Sequence, residues 1–325
     1  MTARAPATVA AGVRTLAVAR PPGLTGPSRY PVAELVRTLE RAGLPRAPAA
    51  WPPAARVADR LGLNRSVSRR GGRAVLVPLM GPAAAWLFPH SLTHECAVVC
   101  WDVWTPDDPA WDRLFRRHRV RFAVMTARTA AERWADRGLR TAWVPEAIDP
   151  PPGSPGPPLG RRRIDVLELG RRHPGYHAVI TPPLARTGAV HRYERTRGEI
   201  VFPTRAELGA GLRDTVVSVC FPGSVTHPER SGDIETLTRR YLESMAAGTV
   251  LVGSAPAELV DLFGYDPVVP VDWDDPGRQL LDIVRDPERY APLVARNYAR
   301  FLEVGTLRAR VPPLLDVLRS WGFRW

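Results

Sequence analysis

The stretch Gly232–Gly248, GDIETLTRRYLESMAAG, sets two glutamates eight positions apart around a pair of arginines and closes on a glycine. Leu242, Met245 and Ala246 recur at helical spacing, so a helix is expected from about Thr238, a good N-cap, with Gly248 at its C-terminal turn. Glu235 then precedes the helix and Glu243 lies inside it. The ordinary reading is a solvated amphipathic helix in which Arg239 pairs with a glutamate one turn away. The alternative is a ligand site. Amides at Thr236, Leu237 and Thr238 open from a helix N-terminus, which favours phosphate, and a carboxylate on either side can accept two sugar hydroxyls. Together these features point to a sugar–diphosphate–ribose ligand.

Working outward, short apolar runs alternate with helical patterns, the signature of βα units on a parallel sheet. Strands are expected at 13–19, 73–79, 96–101, 120–126 and 141–145, with helices at 31–43 and 128–138. Residues 146–163 are rich in proline and glycine and have no period, as a linker does. The alternation restarts with strands at 164–170, 189–194, 215–221, 249–254 and 266–273, and helices near 175–186, 204–213 and 255–264. From 276 onward the pattern is helical, interrupted by Pro312–Pro313. The expected fold is α/β. It comprises an N-terminal Rossmann-like domain (1–150), a linker (151–163), a second Rossmann-like domain (164–300) and a helical tail (301–325) packing back towards the first domain. Ligands of such sheets sit beyond the C-terminal ends of the strands, which places the site between the domains.

At 325 residues, 45% apolar and 24% charged, the chain is globular and long enough for two cores. The net charge of +12 raises nucleic acid or an anionic membrane surface as partners. However, all 45 basic residues are arginine and they are scattered, without an aromatic-interleaved recognition motif, so nucleic acid is the minor reading. Three cysteines make no disulfide framework, and neither a signal peptide nor a run of about 18 apolar residues is evident, so a cytoplasmic protein is expected, with peripheral membrane contact as an option.

The segment ETLTRRYLESMAAGTVLVGS resembles the E-x7-E element of GT-B glycosyltransferases of the "group 1" type. IDVLELGRR is similar to the strand and Gly-Arg turn that open their nucleotide domain, and WVPEAIDP to the signal before their interdomain linker. The resemblance spans roughly 140–275 and is one of pattern only in the first half. It implies a transferase using a nucleotide-diphosphate sugar, with no cofactor, no metal, and retention at the anomeric carbon. It also implies that Glu235 meets the sugar, Glu243 the ribose, and Thr236, Leu237 and Thr238 the phosphates, with Gly170 and Arg171 forming the diphosphate turn. The second phosphate-binding cation of that family is often a lysine, which this chain lacks; either Arg172, Arg205 or Arg230 replaces it or the second cation is missing. His227, in the long loop before the segment, either touches the donor sugar or braces the loop.

On the acceptor side, Asp102 directly follows an apolar strand and is flanked by Trp101 and Trp104. A carboxylate there can serve as base to an acceptor hydroxyl or act as a cap or turn residue. His94 is a second acceptor-side candidate. His90, His94, Cys96 and Cys100 are metal-ligand types, but their spacing fits no common zinc motif, and cysteines within an apolar strand are ordinary core. The acceptor itself, whether small molecule, glycan or lipid-linked, is not written in these residues.

Overall fold

The computed structural model describes residues 14–21, 29–48, 52–64, 72–170, 172–196 and 198–325. Buried apolar runs form the strands. The first five are β1 (Arg14–Val18), β2 (Arg73–Met80), β3 (Glu95–Trp101), β4 (Phe122–Met125) and β5 (Arg140–Trp143). A second set follows the proline-rich segment: β6 (Ile164–Glu168), β7 (His191–Tyr193), β8 (Thr215–Cys220), β9 (Val250–Gly253) and β10 (Val269–Pro270). A last short strand, β11 (Phe323–Arg324), returns to the first sheet. The sheet orders are β11-β1-β2-β3-β4-β5 and β10-β9-β8-β6-β7, and the ladders are parallel.

Helices cover both faces, as parallel strands require. In the first half they are α1 (Tyr30–Arg41), α2 (Pro52–Arg60), the single turn α3 (His90–Thr93), α4 (Asp108–Arg117) and α5 (Arg128–Asp136). In the second half come α6 (Pro174–Thr187), α7 (Arg205–Arg213), the single turns α8 (Gly223–Thr226) and α9 (Pro228–Ser231), α10 (Arg239–Ala247) and α11 (Ala257–Phe263). The chain ends with α12 (Pro276–Arg285), α13 (Ala291–Val304) and α14 (Leu307–Ser320).

Side chains of α1 and α14 fill one face of the first sheet, among them Leu35, Leu39, Val311 and Leu318. Trp111, Phe115 and Trp134 of α4 and α5 fill the other. In the second domain Tyr176, Ile180 and Leu280 cover one face, and Tyr241, Met245, Leu259 and Phe301 the opposite one.

Two local expectations change. The helical tail does not stop at Pro312–Pro313, which lie inside α14. Both prolines are exposed, so the carbonyls they leave without a helical partner face water. The break falls instead at Gly305, after which the Thr306 side chain accepts the Ala309 amide and opens α14. The expected strand at 266–273 shrinks to two residues at the sheet edge. Pro267 and Pro270 have no amide to offer a ladder there.

β9 ends against Cys220 of β8 at Gly253, whose φ is +145° and where a Cβ would stand 1.9 Å from the Cys220 carbonyl oxygen. Gly253→Ala is therefore expected to cost about 2 kcal/mol or more in urea unfolding. An unchanged midpoint would contradict this packing.

Candidate functional site

The C-terminal ends of the two sheets meet. Thr105, beyond β3, donates to Asp233, beyond β8. At the head of α5, the Arg128 amide reaches the Glu258 carboxylate of α11 at 3.1 Å, and its guanidinium reaches Asp261 at 2.5 Å. Gly232 holds φ +60° with its α-carbon facing Thr105 and Pro106, so the loop before α10 lies directly on the first domain.

Helix α10 begins where the sequence places it. Thr238 is the N-cap residue, though its side chain caps nothing, and Gly248 (φ +69°) closes the helix in the left-handed region. The i, i+4 pair of the ordinary reading is present, with Arg239 Nε 3.3 Å from Glu243. It is not solvated, because these side chains are only 18% and 15% exposed. Across the cleft Arg239 also reaches Glu34 of α1 at 3.3 Å, and Arg205 at the head of α7 pairs with the same carboxylate. Glu34 is 4% exposed.

Three carboxyl groups converge at the mouth of α10. Glu146 accepts the Arg239 backbone amide and lies near Asp102 and Glu243. Burial first, then those two acids, push its carboxyl up to about 8, against the opposing pull of Arg239. Asp102 holds φ +56°, a left-handed conformation uncommon outside glycine and one that marks a position the surroundings dictate.

Gly170 turns the chain after β6 with φ +73°, and a Cβ on it would stand 2.8 Å from Arg240 Nη2. A guanidinium thus overhangs a turn that only glycine leaves open. Beside Glu243 and Arg205 lies a cleft with about 550 Å³ of empty space, bordered by Tyr30, Phe202, Pro203 and Leu208. The Phe202 ring occupies the space a side chain on Gly211 would fill.

The structure brings together Arg205, Glu243 and Asp102 with Glu34, Glu146 and Arg239, and Gly170 with Arg240. Glu235 is half-buried and, like Arg240, close to Tyr241, whose hydroxyl donates to the Ser254 carbonyl beyond β9. Arg171 lies outside the described residues.

Leu237 is a correction. Its amide, expected to face phosphate, donates to Glu258, as does the Thr236 hydroxyl at 2.7 Å. Burial raises the Glu258 carboxyl even so. The long loop holding His227 is built of α8 and α9, with half-buried His227 between them and its carbonyl accepting the Arg230 and Ser231 amides. His94 is not brought to the cleft. It precedes β3 at the opposite sheet end, bonded to Thr93 at 2.8 Å, with burial and Arg73 lowering its pKa. Cys96 and Cys100 are buried core.

Among the replacement cations, Arg172 bonds His177 and Arg230 is exposed; the arginine over Gly170 is Arg240. Sequence reasoning missed Arg240, Glu34, Glu146 and Glu258. A signal existed for Glu34, an acid among the buried positions Val32, Leu35 and Val36 of α1.

No protein-family model and no curated relative matches the chain. Solved structures do. HepE of Anabaena, in complex with UDP and glucose, superposes with a TM-score of 0.59 over 94% of this chain and 100% of its own, at 12% identity. An α-glucosyltransferase in complex with UDP-glucose and DNA containing an abasic site gives 0.55, covering 95% of this chain and 100% of its own at 10% identity. TarM gives 0.52 over 82% of this chain and 57% of its own, at 9% identity. At such identities the likeness is one of fold. The chain has the GT-B architecture of two facing Rossmann-like domains with a helical tail. No helix among the described residues is long and apolar enough to cross a membrane.

Glu146 makes the site measurable by pH. A carboxyl held above its ordinary 4.5 binds its proton more tightly in the folded chain. Its contribution to stability therefore falls as pH rises through 4.5 towards about 8, and levels off above. Glu146→Gln is expected to gain stability relative to wild type between about pH 5 and pH 8 in urea unfolding. A pH-independent difference would contradict the placement.

Proposed function

We propose that the chain is a glycosyltransferase that takes a sugar from a nucleotide-diphosphate donor held in the interdomain cleft and passes it to an acceptor on the N-terminal side. The observation that carries this is Arg240 over the Gly170 turn, with Glu243 and the Phe202 cleft on one side and Asp102 on the facing domain. Fold neighbours solved with UDP or UDP-glucose support the donor class.

In this reading the diphosphate lies between Arg240 and the Gly170–Arg171 turn. These cations meet the charge that grows on the departing phosphate, the largest electrostatic demand of the transfer. Glu243, held by Arg239, accepts the ribose hydroxyls, and Phe202 and Tyr30 border the base. Glu235 faces the sugar, and Thr236 and Thr238 offer backbone groups to the phosphates. Asp102, beside Glu146, stands nearest the acceptor hydroxyl and orients it. The guanidinium groups replace the charge a metal would bring, and transfer proceeds with retention. Closure of the cleft excludes water, since hydrolysis competes with transfer.

A panel of nucleotides and nucleotide sugars in thermal-shift assays tests the donor. Diphosphates are expected to stabilise the chain, by about 2.7 kcal/mol at a hundredfold excess over Kd, and monophosphates to do so less. Arg240→Ala should erase that preference, and Glu243→Ala should lose turnover while remaining folded. The stabilising donor is then offered small-molecule, glycan, lipid-linked and DNA acceptors. No response to any nucleotide, with steeply salt-dependent polynucleotide binding instead, would replace this reading by that of a basic binding protein.

A further inference from the structure

A polar cluster lies beside β7 at the end of β6, two residues before the Gly170 turn. Glu168, the last residue of β6, is 2% exposed. Its Oε1 stands 2.5 Å from His177 Nδ1, in the first turns of α6, and 2.9 Å from His191 Nε2 at the start of β7. One ligand atom from each of the three residues lies within 4.8 Å of the others. Tyr193 packs its ring on both imidazoles, at centroid distances of 4.7 and 4.6 Å, and limits how they turn.

A second observation is independent of that convergence. Glu168 Oε2 is buried and has no hydrogen-bond partner among the described residues. A buried carboxylate oxygen without a protein donor is a place for a water or a cation. The His191 side chain is 7% exposed and that of His177 22%, so the cluster is closed on the sheet side and reachable from α6.

We propose that Glu168, His177 and His191 form a site for a divalent ion of the zinc class. Two imidazoles and a carboxylate are a zinc donor set, with a water completing the tetrahedron. At bond lengths of about 2.0–2.2 Å the three ligand atoms would sit roughly 3.3 Å apart, so the present hydrogen-bonded atoms separate by less than about 1 Å. Glu168 Oε2 gains the positive neighbour it lacks. The ion ties β6, β7 and α6 together; it is not placed on the donor diphosphate.

The arrangement fixes a further consequence. Arg172 Nη1 stands 2.8 Å from His177 Nε2, and a guanidinium only donates, so in the ion-free chain the His177 proton is on Nδ1, facing Glu168. An ion on Nδ1 moves that proton to Nε2, where it meets the Arg172 donor. Arg172 must then leave, and the Tyr193 ring, 5.2 Å from its guanidinium carbon, gives it another seat.

The test uses the tag-free full chain stripped with chelator. Calorimetry with Zn2+ is expected to give one site of micromolar or tighter affinity, and Co2+ in its place to give the absorption of a tetrahedral ion with nitrogen and oxygen ligands. Glu168→Gln and His191→Gln should each weaken binding at least about 100-fold, while Arg172→Ala should tighten it. Long-range proton–nitrogen spectra of the seven histidines in the wild-type chain need no variant, and should shift at His177 and His191 on zinc addition. Absence of binding, resonances of these two residues that stay in place, or binding unchanged in either folded glutamine variant would overturn the site and leave a hydrogen-bonded triad.

Discussion

The carboxylate of Glu34 is the constraint on which the cleft depends. It comes from α1 of the first domain, is almost fully buried, and pairs with Arg205 and Arg239 of the second. Removing one partner of such a buried cluster leaves an uncompensated charge, at a cost of about 3–5 kcal/mol. Arg239 also carries Glu243 on its side chain and Glu146 on its amide, so one acid on α1 sets how the mouth of α10 faces the first domain. At the other end of the interface Glu258 does the same from the second domain, taking the Arg128 amide while it holds the Thr236–Leu237 segment.

These ties explain why a helix mouth that attracts anions is partly occupied by the protein's own acids. Leu237 and Arg239 give their amides to Glu258 and Glu146, and the next side chain, Arg240, lies over the Gly170 turn. Adjacent helical residues point about 100° apart, so Arg239 turns to Glu34 while Arg240 overhangs Gly170. The pair of arginines is thus divided between holding the domains and covering the Gly170 turn.

The alternation of strands and helices was legible because parallel strands buried on both faces are continuous apolar runs, as in TVVSVC and ECAVVCW. The bounds of α10 were legible from Thr238 and Gly248. The cross-domain pairs were not: Glu34 and Arg239 are 205 positions apart, and no local period links them. Edge strands were also poorly legible, since β10 and β11 are two residues each and owe their place to neighbours rather than to pattern. His94 was read as an acceptor-side residue, yet the whole of β3 separates it from Asp102.

The account rests on the diphosphate lying between the Gly170 turn and Arg240. A crystal structure of the chain with a bound nucleoside diphosphate measures this directly. The account predicts phosphate oxygens within hydrogen-bond distance of the Arg240 guanidinium and the backbone beyond Gly170, with the ribose on Glu243. A nucleotide bound elsewhere, with Arg240 free of phosphate, would contradict it.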